Sequence, residues 1–351
     1  MRILILNPSF RVYGGAELAI VKLANYLRNR GDSVTIYTLE MSSEVKRDLE
    51  GTSIELFKSI EDLRKHLHGT YDSYEVINSH NHPMELMLYP INYPHIWFHN
   101  EPPEYVLYGR RLSLSEKAIV VKTVDRIVVW SKYNKRRVEE LYGMSATIVP
   151  FGVDTTFFDR AKANPARAEM KIGLHESDFV VLHPGWFSPF KNQFRTLLAY
   201  TELQDKIPNL KVVFPGMTNT DYYKYIARAI KVHSLDGIIA PGFIPRELMR
   251  DLYARCNVAV FPYREQGGFL SMFEALAMEC NVIVSPEAPC VEYIEENGLC
   301  IVSNNLEDEI IRIYKGKYGY PTVKARKWIG NNLTWDKFGS ALRHIMEETI
   351  L

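Results

Sequence analysis

The chain has 351 residues, 46% of them apolar and 24% charged, which suits a soluble globular protein and is too long for one ordinary core. Lys plus Arg and Asp plus Glu both number 42, so a net charge of zero gives no electrostatic ground for nucleic acid as a partner. The chain opens on a strand-like run rather than a leader, and no apolar run approaches the roughly 20 residues of a membrane span, so a cytoplasmic protein is expected.

Arg2–Asn7 is an unbroken apolar run, as in a central parallel strand. A loop with Gly14 and Gly15 follows, then a helix over Ala16–Arg30 with Ala16, Ile20, Leu23 and Leu27 on one face. Ser33–Leu39 is the next strand. The loop is not GxGxxG, but two glycines before a helix let an anion approach the backbone, unless they only make a turn. Residues 40–70 read as a polar, helix-rich connection. Tyr74–Asn78 is a strand ending near His80 and His82, and Pro94–Phe98 is a strand ending at His99, Asn100 and Glu101. Residues after a parallel strand lie at the ligand edge of the sheet. These histidines suit either structure or ligand, and no third metal ligand stands near them.

Tyr105–Lys122 reads as a helix carrying Arg110, Arg111, Lys117 and Lys122. Its charges suit a solvated face, or contact with an anionic acceptor or a membrane surface at the inner leaflet. Val124–Trp130 is a strand before a basic helix, and Thr147–Asp154 closes the first half.

In the second half, Asn164–Glu176 is a linker with a short helix, and Phe179–His183 is the first strand of a second domain. Gly185, Trp186 and Lys191 follow it. A strand from Lys211 ends at Gly216, Tyr222–His233 is helical, and Gly237–Ala240 is a strand leading to Phe243, Ile244 and a helix through Arg255. Val258–Phe261 reads as a buried strand, broken by Glu265, Gln266, Gly267 and Gly268. The helix after it repeats Phe269, Met272, Phe273, Leu276 and Ala277 at helical spacing, with one carboxylate, Glu274. Backbone N–H groups near Phe269, Leu270 and Ser271 favour a phosphate, and Glu274 leans back toward the same turn. A carboxylate for sugar hydroxyls beside donors for phosphate is what a nucleotide-sugar needs. The four cysteines, Cys256, Cys280, Cys290 and Cys300, form no CxxC pair and read as reduced buried thiols. A final amphipathic helix spans Lys337–Met346 after Thr334–Asp336.

These motifs, in order from Gly14 to Trp335, resemble the family 4 retaining glycosyltransferases of the GT-B fold. That family carries Glu-Gly-Phe-Gly-Leu, three residues, then Glu-Ala-Met-Ala. Glu274–Ala277 matches the second half, while Gln266 stands eight residues earlier where the family has Glu, with Glu265 adjacent. Its Gly-Arg…Lys motif matches at Gly185 and Lys191, with Trp186 in place of Arg. Its Gly-Gly-x-Glu loop matches at Gly14–Glu17, and the second His of its His-x-His falls on His80.

The resemblance implies an α/β protein of two Rossmann-like domains facing a cleft. Residues 1–160 would bind the acceptor and residues 161–330 the nucleotide sugar, with a helix in 331–351 crossing back to the first domain. It implies retaining transfer of a sugar from a nucleoside diphosphate sugar, UDP favoured, to a hydroxyl of a glycan, lipid-linked or small-molecule acceptor. The donor would meet Gly14, Gly15, Gly185, Lys191, Phe243, Ile244, Gly268, Phe269, Leu270, Ser271 and Glu274. His80, Lys191, Gln266 and Glu265 would carry the reaction, and His99, Glu101 and Arg110 would face the acceptor. No cofactor is implied beyond the donor itself. No Asp-x-Asp is present, so no metal is expected. The alternatives are a GT-B binding or scaffold protein impaired by Trp186 and Gln266, and a sugar-nucleotide epimerase.

Overall fold

The structure, a computed structural model, describes residues 1–11, 13–100, 112–264, 270–317 and 322–351. The chain divides into two compact units: Met1–Gly152 together with Leu333–Leu351, and Val153–Asn332. The sequence-based boundaries at 160 and 330 fall a few residues from these divisions.

The first unit begins with β1 (Arg2–Leu6), β2 (Ser9–Phe10) and α1 (Gly15–Asn29). Then come β3 (Ser33–Thr38), β4 (Glu40–Met41), α2 (Ser43–Asp48), β5 (Ser53–Leu56) and α3 (Ile60–Thr70). It continues with β6 (Val76–His80), β7 (His95–Phe98), α4 (Leu114–Thr123), β8 (Arg126–Val129), α5 (Lys132–Tyr142) and β9 (Ala146–Ile148). Seven strands pair in parallel in the order β5-β3-β1-β6-β7-β8-β9. Helices cover such a sheet on both faces, so its strands are apolar throughout: Ile3, Leu4, Ile5 and Leu6 are all fully buried. Residues 40–70 hold strands as well as helices; β5 extends the sheet edge beside β3. The first part of the helix expected over 105–122 lies outside the described residues.

The second unit runs α6 (Pro165–Ile172), β10 (Phe179–Leu182), α7 (Gln193–Leu203), β11 (Leu210–Pro215), α8 (Asp221–Val232), β12 (Ile238–Gly242) and α9 (Arg246–Arg255). It ends with β13 (Val258–Phe261), α10 (Leu270–Ala277), β14 (Val282–Val284), α11 (Val291–Glu295), β15 (Ile301–Val302), α12 (Leu306–Tyr314) and α13 (Thr322–Asn332). Its parallel sheet has the order β12-β11-β10-β13-β14-β15. Val181, Phe214, Val260 and Ile283 from four of those strands share a core with Phe187 and Leu197. Strand order reverses at β1 in the first unit and at β10 in the second, and ligands of such sheets bind at the carboxyl ends of strands beside these points.

The last helix, α14 (Trp335–Ile350), belongs to the first unit and is longer than its sequence pattern defines. Gly339 lets it lie close on α1, because a Cβ there would stand 2.3 Å from the Tyr26 ring. Phe338 packs edge-on against Phe98 at 5.8 Å. Arg343 donates Nε–H to Asp32 Oδ2 at 2.8 Å, and the Asp32 side chain is 2% exposed. Burial raises the Asp32 pKa, but the bonds from Arg343 and the chain's first amino group outweigh it, so the carboxyl sits below its ordinary value. A depressed carboxyl contributes stability above its unfolded pKa and loses it as pH falls through the folded value. Arg343→Ala should therefore destabilise the protein by about 2–3 kcal/mol at pH 7. The gap in melting temperature from the wild type should shrink below about pH 4, where Asp32 protonates in the unfolded chain. A gap of the same size at pH 3 would contradict the pairing.

Candidate functional site

In the second unit, the loop after β10 carries Gly185 and Lys191, and it is tied down by its own amides. Gln193, fully buried at the start of α7, donates to the Trp186 carbonyl at 3.1 Å. Asn192 donates to the Pro262 carbonyl at 3.0 Å, which fastens the loop to the end of β13. Gly185 has φ +137°, a conformation side chains rarely adopt, and the Lys191 stem lies 3.5 Å from where its Cβ would be. At Gly216, a Cβ would stand 2.1 Å from the Gly185 oxygen, so the end of β11 must be glycine for the two loops to close together. Trp186, in contrast, projects and is 56% exposed.

Lys191 is half-buried, and its Nζ lies 3.8 Å from the centre of the Tyr263 ring. Burial brings its ammonium down to about 7, the nearby Cys290 opposing the shift. His183, fully buried at the end of β10, bonds Thr196 Oγ1 through Nδ1 at 2.8 Å. Burial first, and then the Lys191 charge, push its pKa to about 3, so it stays neutral.

Glu274 projects from α10 with its side chain 13% exposed. Arg246 Nη2 stands 3.7 Å from one oxygen, and the Tyr253 hydroxyl donates to the other at 3.5 Å. Burial raises the Glu274 pKa to about 7 against the pull of Arg246 and Tyr253. The Tyr253 hydroxyl also donates to the Ser271 carbonyl at 2.9 Å, which sets the first turn of α10. Arg246, in turn, lies 5.2 Å over the Phe157 ring. Leu270 and Ser271 are the first described residues of α10. Phe243 and Ile244 lie in the loop from β12 to α9, with Phe243 60% exposed. Gln266, Glu265, Gly268 and Phe269 lie outside the described residues.

In the first unit, Gly14 precedes α1 and donates its N–H to Glu17 Oε2 at 3.1 Å. Burial raises the Glu17 pKa to about 7, against the backbone hydrogen bonds it accepts. Gly15 is exposed at the first residue of the helix. His80 is fully buried, with both ring nitrogens engaged. Its Nε2–H donates to Asn78 Oδ1 at 2.8 Å and its Nδ1 accepts from Asn100 Nδ2 at 3.2 Å. The resemblance implies that His80 touches the sugar. Those two bonds fix the ring at the carboxyl edge of β6, and among the described residues the buried Asn100 Oδ1 has no hydrogen-bond partner. His82 bonds Glu85 at 2.7 Å, and Glu85 is fully buried. His99 is 1% exposed and stacks on Trp97 at 4.3 Å, and burial lowers its pKa to about 3. Among the described residues, its buried ring nitrogens have no hydrogen-bond partner. Glu101 and Arg110 lie outside the described residues. Among the described residues no group of three His, Cys, Asp or Glu side chains comes together to hold a metal, and no helix is long and apolar enough to cross a membrane.

Sequence reasoning missed Tyr263, Arg246, Tyr253 and Gln193. Of these, Tyr263 alone left a local signal, as an aromatic directly after the proline that ends β13.

The model for glycosyl transferases group 1 matches residues 166–332, and that for glycosyltransferase family 4 matches residues 13–157. The structure resembles Anabaena HepE, solved in complex with UDP and glucose, at a TM-score of 0.83 and 15% identity over 99% of each chain. It also resembles a glycosyltransferase from Rickettsia africae at a TM-score of 0.80 and 18% identity over 99% of this chain and 98% of that one. A lipopolysaccharide 1,2-N-acetylglucosaminetransferase of Salmonella typhimurium is 26% identical over 178 residues, 48% of this chain and 46% of that protein. The Bacillus subtilis glycosyltransferase YqgM is 21% identical over 192 residues, 54% and 50% of the two chains. The chain thus spans about half the length of the curated relatives it matches. With both halves matched and the fold shared along its length, the chain belongs to the family 4 glycosyltransferases of the GT-B fold.

Proposed function

We propose that the chain transfers a glycosyl group from a nucleoside diphosphate sugar, a UDP-sugar by preference, to an acceptor hydroxyl with retention at the anomeric carbon. The observation that carries this reading is the pairing of two groups at the carboxyl edge of one sheet. Lys191 follows β10, and Glu274 stands on the helix that follows the adjacent β13. A cation and free helix N–H groups suit a diphosphate, and a buried carboxylate suits the ribose hydroxyls. HepE was solved with UDP and glucose, which supports a uridine donor. The Salmonella relative acts on lipopolysaccharide by its name, which supports a glycan acceptor.

In this reading the bond from the anomeric carbon to the diphosphate oxygen breaks first. The acceptor oxygen then bonds to the same face of that carbon, and its proton passes to the departing phosphate. Lys191 and the start of α10 stabilise the charge that grows on the leaving group. No metal is needed for that charge, because the cation and the N–H groups meet it.

Three measurements test the reading together. A thermal-shift panel of UDP, GDP, ADP, TDP and CDP with their common sugars should raise the melting temperature for one base, uridine. NMR of the product formed with the selected donor should show the donor's anomeric configuration, and turnover should survive a chelator. A shift without any transfer would favour the scaffold reading. Loss of turnover in chelator with recovery in manganese would overturn the metal-free mechanism.

A further inference from the structure

Lys191 and Tyr263 come from different parts of the chain. Lys191 ends the loop after β10, and Tyr263 follows β13, the strand paired beside it. The Tyr263 side chain is fully buried and fixed at its far end. Its hydroxyl donates to the Pro184 carbonyl at 3.3 Å and lies 3.4 Å from Ser271 Oγ. Its near neighbours are also rings: Phe261 edge-on at 5.5 Å and His183 at 6.2 Å. The ring therefore has little freedom to move. The Lys191 stem passes between it and Gly185, where an added Cβ would meet the stem at 3.5 Å and the Tyr263 hydroxyl at 3.7 Å. The ammonium ends 3.8 Å above the ring centre.

A partner of this kind has a chemical consequence. A carboxylate would also hold the lysine, but it would cancel the charge that a phosphate needs. The face of an aromatic ring attracts a cation through its quadrupole and carries no net charge. The ring thus holds the lysine without adding a negative charge of its own. We propose that Tyr263 is a positioning residue whose ring face fixes the Lys191 ammonium where the donor diphosphate binds. The ring contact stands on the geometry alone; the diphosphate half of the statement rests on the donor-site reading above. Among the described residues, His183 at the end of β10, Cys290 before α11 and Tyr263 itself are titratable groups that face Lys191. Burial and the lysine charge hold His183 near 3, and burial puts the Cys290 thiol at about 12. Neither changes charge between pH 5 and 9, so the ring is the contact that a substitution can probe in that range.

The test uses the full chain with its lysines reductively methylated with ¹³C-formaldehyde. The Lys191 resonance is assigned by its loss in Lys191→Arg. In the wild type, that methyl resonance should lie upfield of those of the other lysines through the ring current of Tyr263. Its titration midpoint should fall by roughly one unit in Tyr263→Leu, which keeps apolar bulk and removes the ring. Tyr263→Phe, which keeps the ring and drops the hydroxyl, should titrate as the wild type does. Inorganic pyrophosphate should bind the Leu variant roughly fivefold more weakly at pH 7 and the Phe variant as tightly as the wild type. An unshifted Lys191 resonance in the wild type would overturn the proposal even if Tyr263→Leu failed to fold. Equal midpoints in the Leu variant and the wild type would overturn it too. A shifted resonance with no pyrophosphate binding to the wild type would overturn the donor-site half and leave the ring contact standing.

Discussion

Replacing Lys191 with alanine should lower turnover of the preferred nucleotide sugar about 10²–10³-fold, the usual cost of removing one preorganised donor from a developing anion. The melting temperature should hardly move. The loop around Lys191 is held by bonds that the substitution leaves in place: Gln193 to the Trp186 carbonyl, Asn192 to the Pro262 carbonyl, and Arg264 N–H to the Phe190 carbonyl at 2.9 Å. A half-buried ammonium brought down to about 7 is a cost to the fold rather than a support. Removing it separates function from stability. Donor affinity should weaken as well, because the ammonium meets the diphosphate in the ground state, and kcat should fall further because the charge on the leaving oxygen grows as the glycosidic bond breaks. Lys191→Arg should not restore activity. A planar guanidinium is longer and wider than the space between Gly185 and Tyr263, where the stem already lies 3.5 Å from the position a Cβ would take on Gly185. Turnover of the alanine variant within a few-fold of wild type, in steady-state assays with the donor saturating, would remove Lys191 from the mechanism.

Lys191 and Glu274 were legible in the sequence because each sits at a fixed distance from a strand that announces itself. Phe179–Leu182 and Val258–Phe261 are unbroken apolar runs, and a fully buried parallel strand needs nothing else. The turn and helix after such a strand fall at the ligand edge by topology alone. The roles of Tyr263 and Arg246 were not legible, because they depend on which elements lie side by side, and Gln193 carries no local mark that sets it apart from a solvated glutamine. Arg246 reaches Glu274 from the helix before β13, and nothing local distinguishes it from the other arginines of α9, Arg250 and Arg255. His80 shows the limit from the other direction. Its place at the end of β6 was readable, but the amides of Asn78 and Asn100 that occupy both its nitrogens come from the same strand and from the end of the next one. A hydrogen-bond partner is a fact of register, and register across a parallel sheet is not written in either strand. The helix α13 had no sequence-based reading. It packs in the second unit through Arg326, whose guanidinium bonds the carbonyls of Phe158 at 2.8 Å and Thr155 at 3.2 Å, far away in the chain.

Affinity for the nucleotide sugar should peak near pH 7 and fall on both sides. The reason is that two groups with pKa values near 7 must carry opposite charges at once. Glu274 accepts from the ribose hydroxyls best as a carboxylate, which it becomes as pH rises through about 7. Lys191 offers its charge to the diphosphate as an ammonium, which it loses as pH rises through about 7. With independent titrations, the fraction holding both charges is roughly one quarter at pH 7, one twelfth at pH 6 or 8, and one hundredth at pH 5 or 9. The affinity should therefore fall roughly threefold one unit from the peak and 25-fold two units from it. The intact nucleotide sugar is the ligand to use, since a free nucleoside diphosphate has a terminal phosphate that itself titrates near pH 6. Each limb has its own assignment. Glu274→Gln keeps an acceptor and loses the acid limb, so its affinity should change by only about twofold from pH 5 to 7. Lys191→Ala should be flat from pH 7 to 9 and weak throughout. The opposing shifts also predict the proton balance. Binding draws a proton onto Lys191 and releases one from Glu274, so calorimetry in buffers of different ionisation enthalpy should show near-zero net proton exchange at pH 7. At pH 6 the complex should release protons, and at pH 8 it should take them up. An acid limb that persists in Glu274→Gln would remove Glu274 from the acid side of the profile.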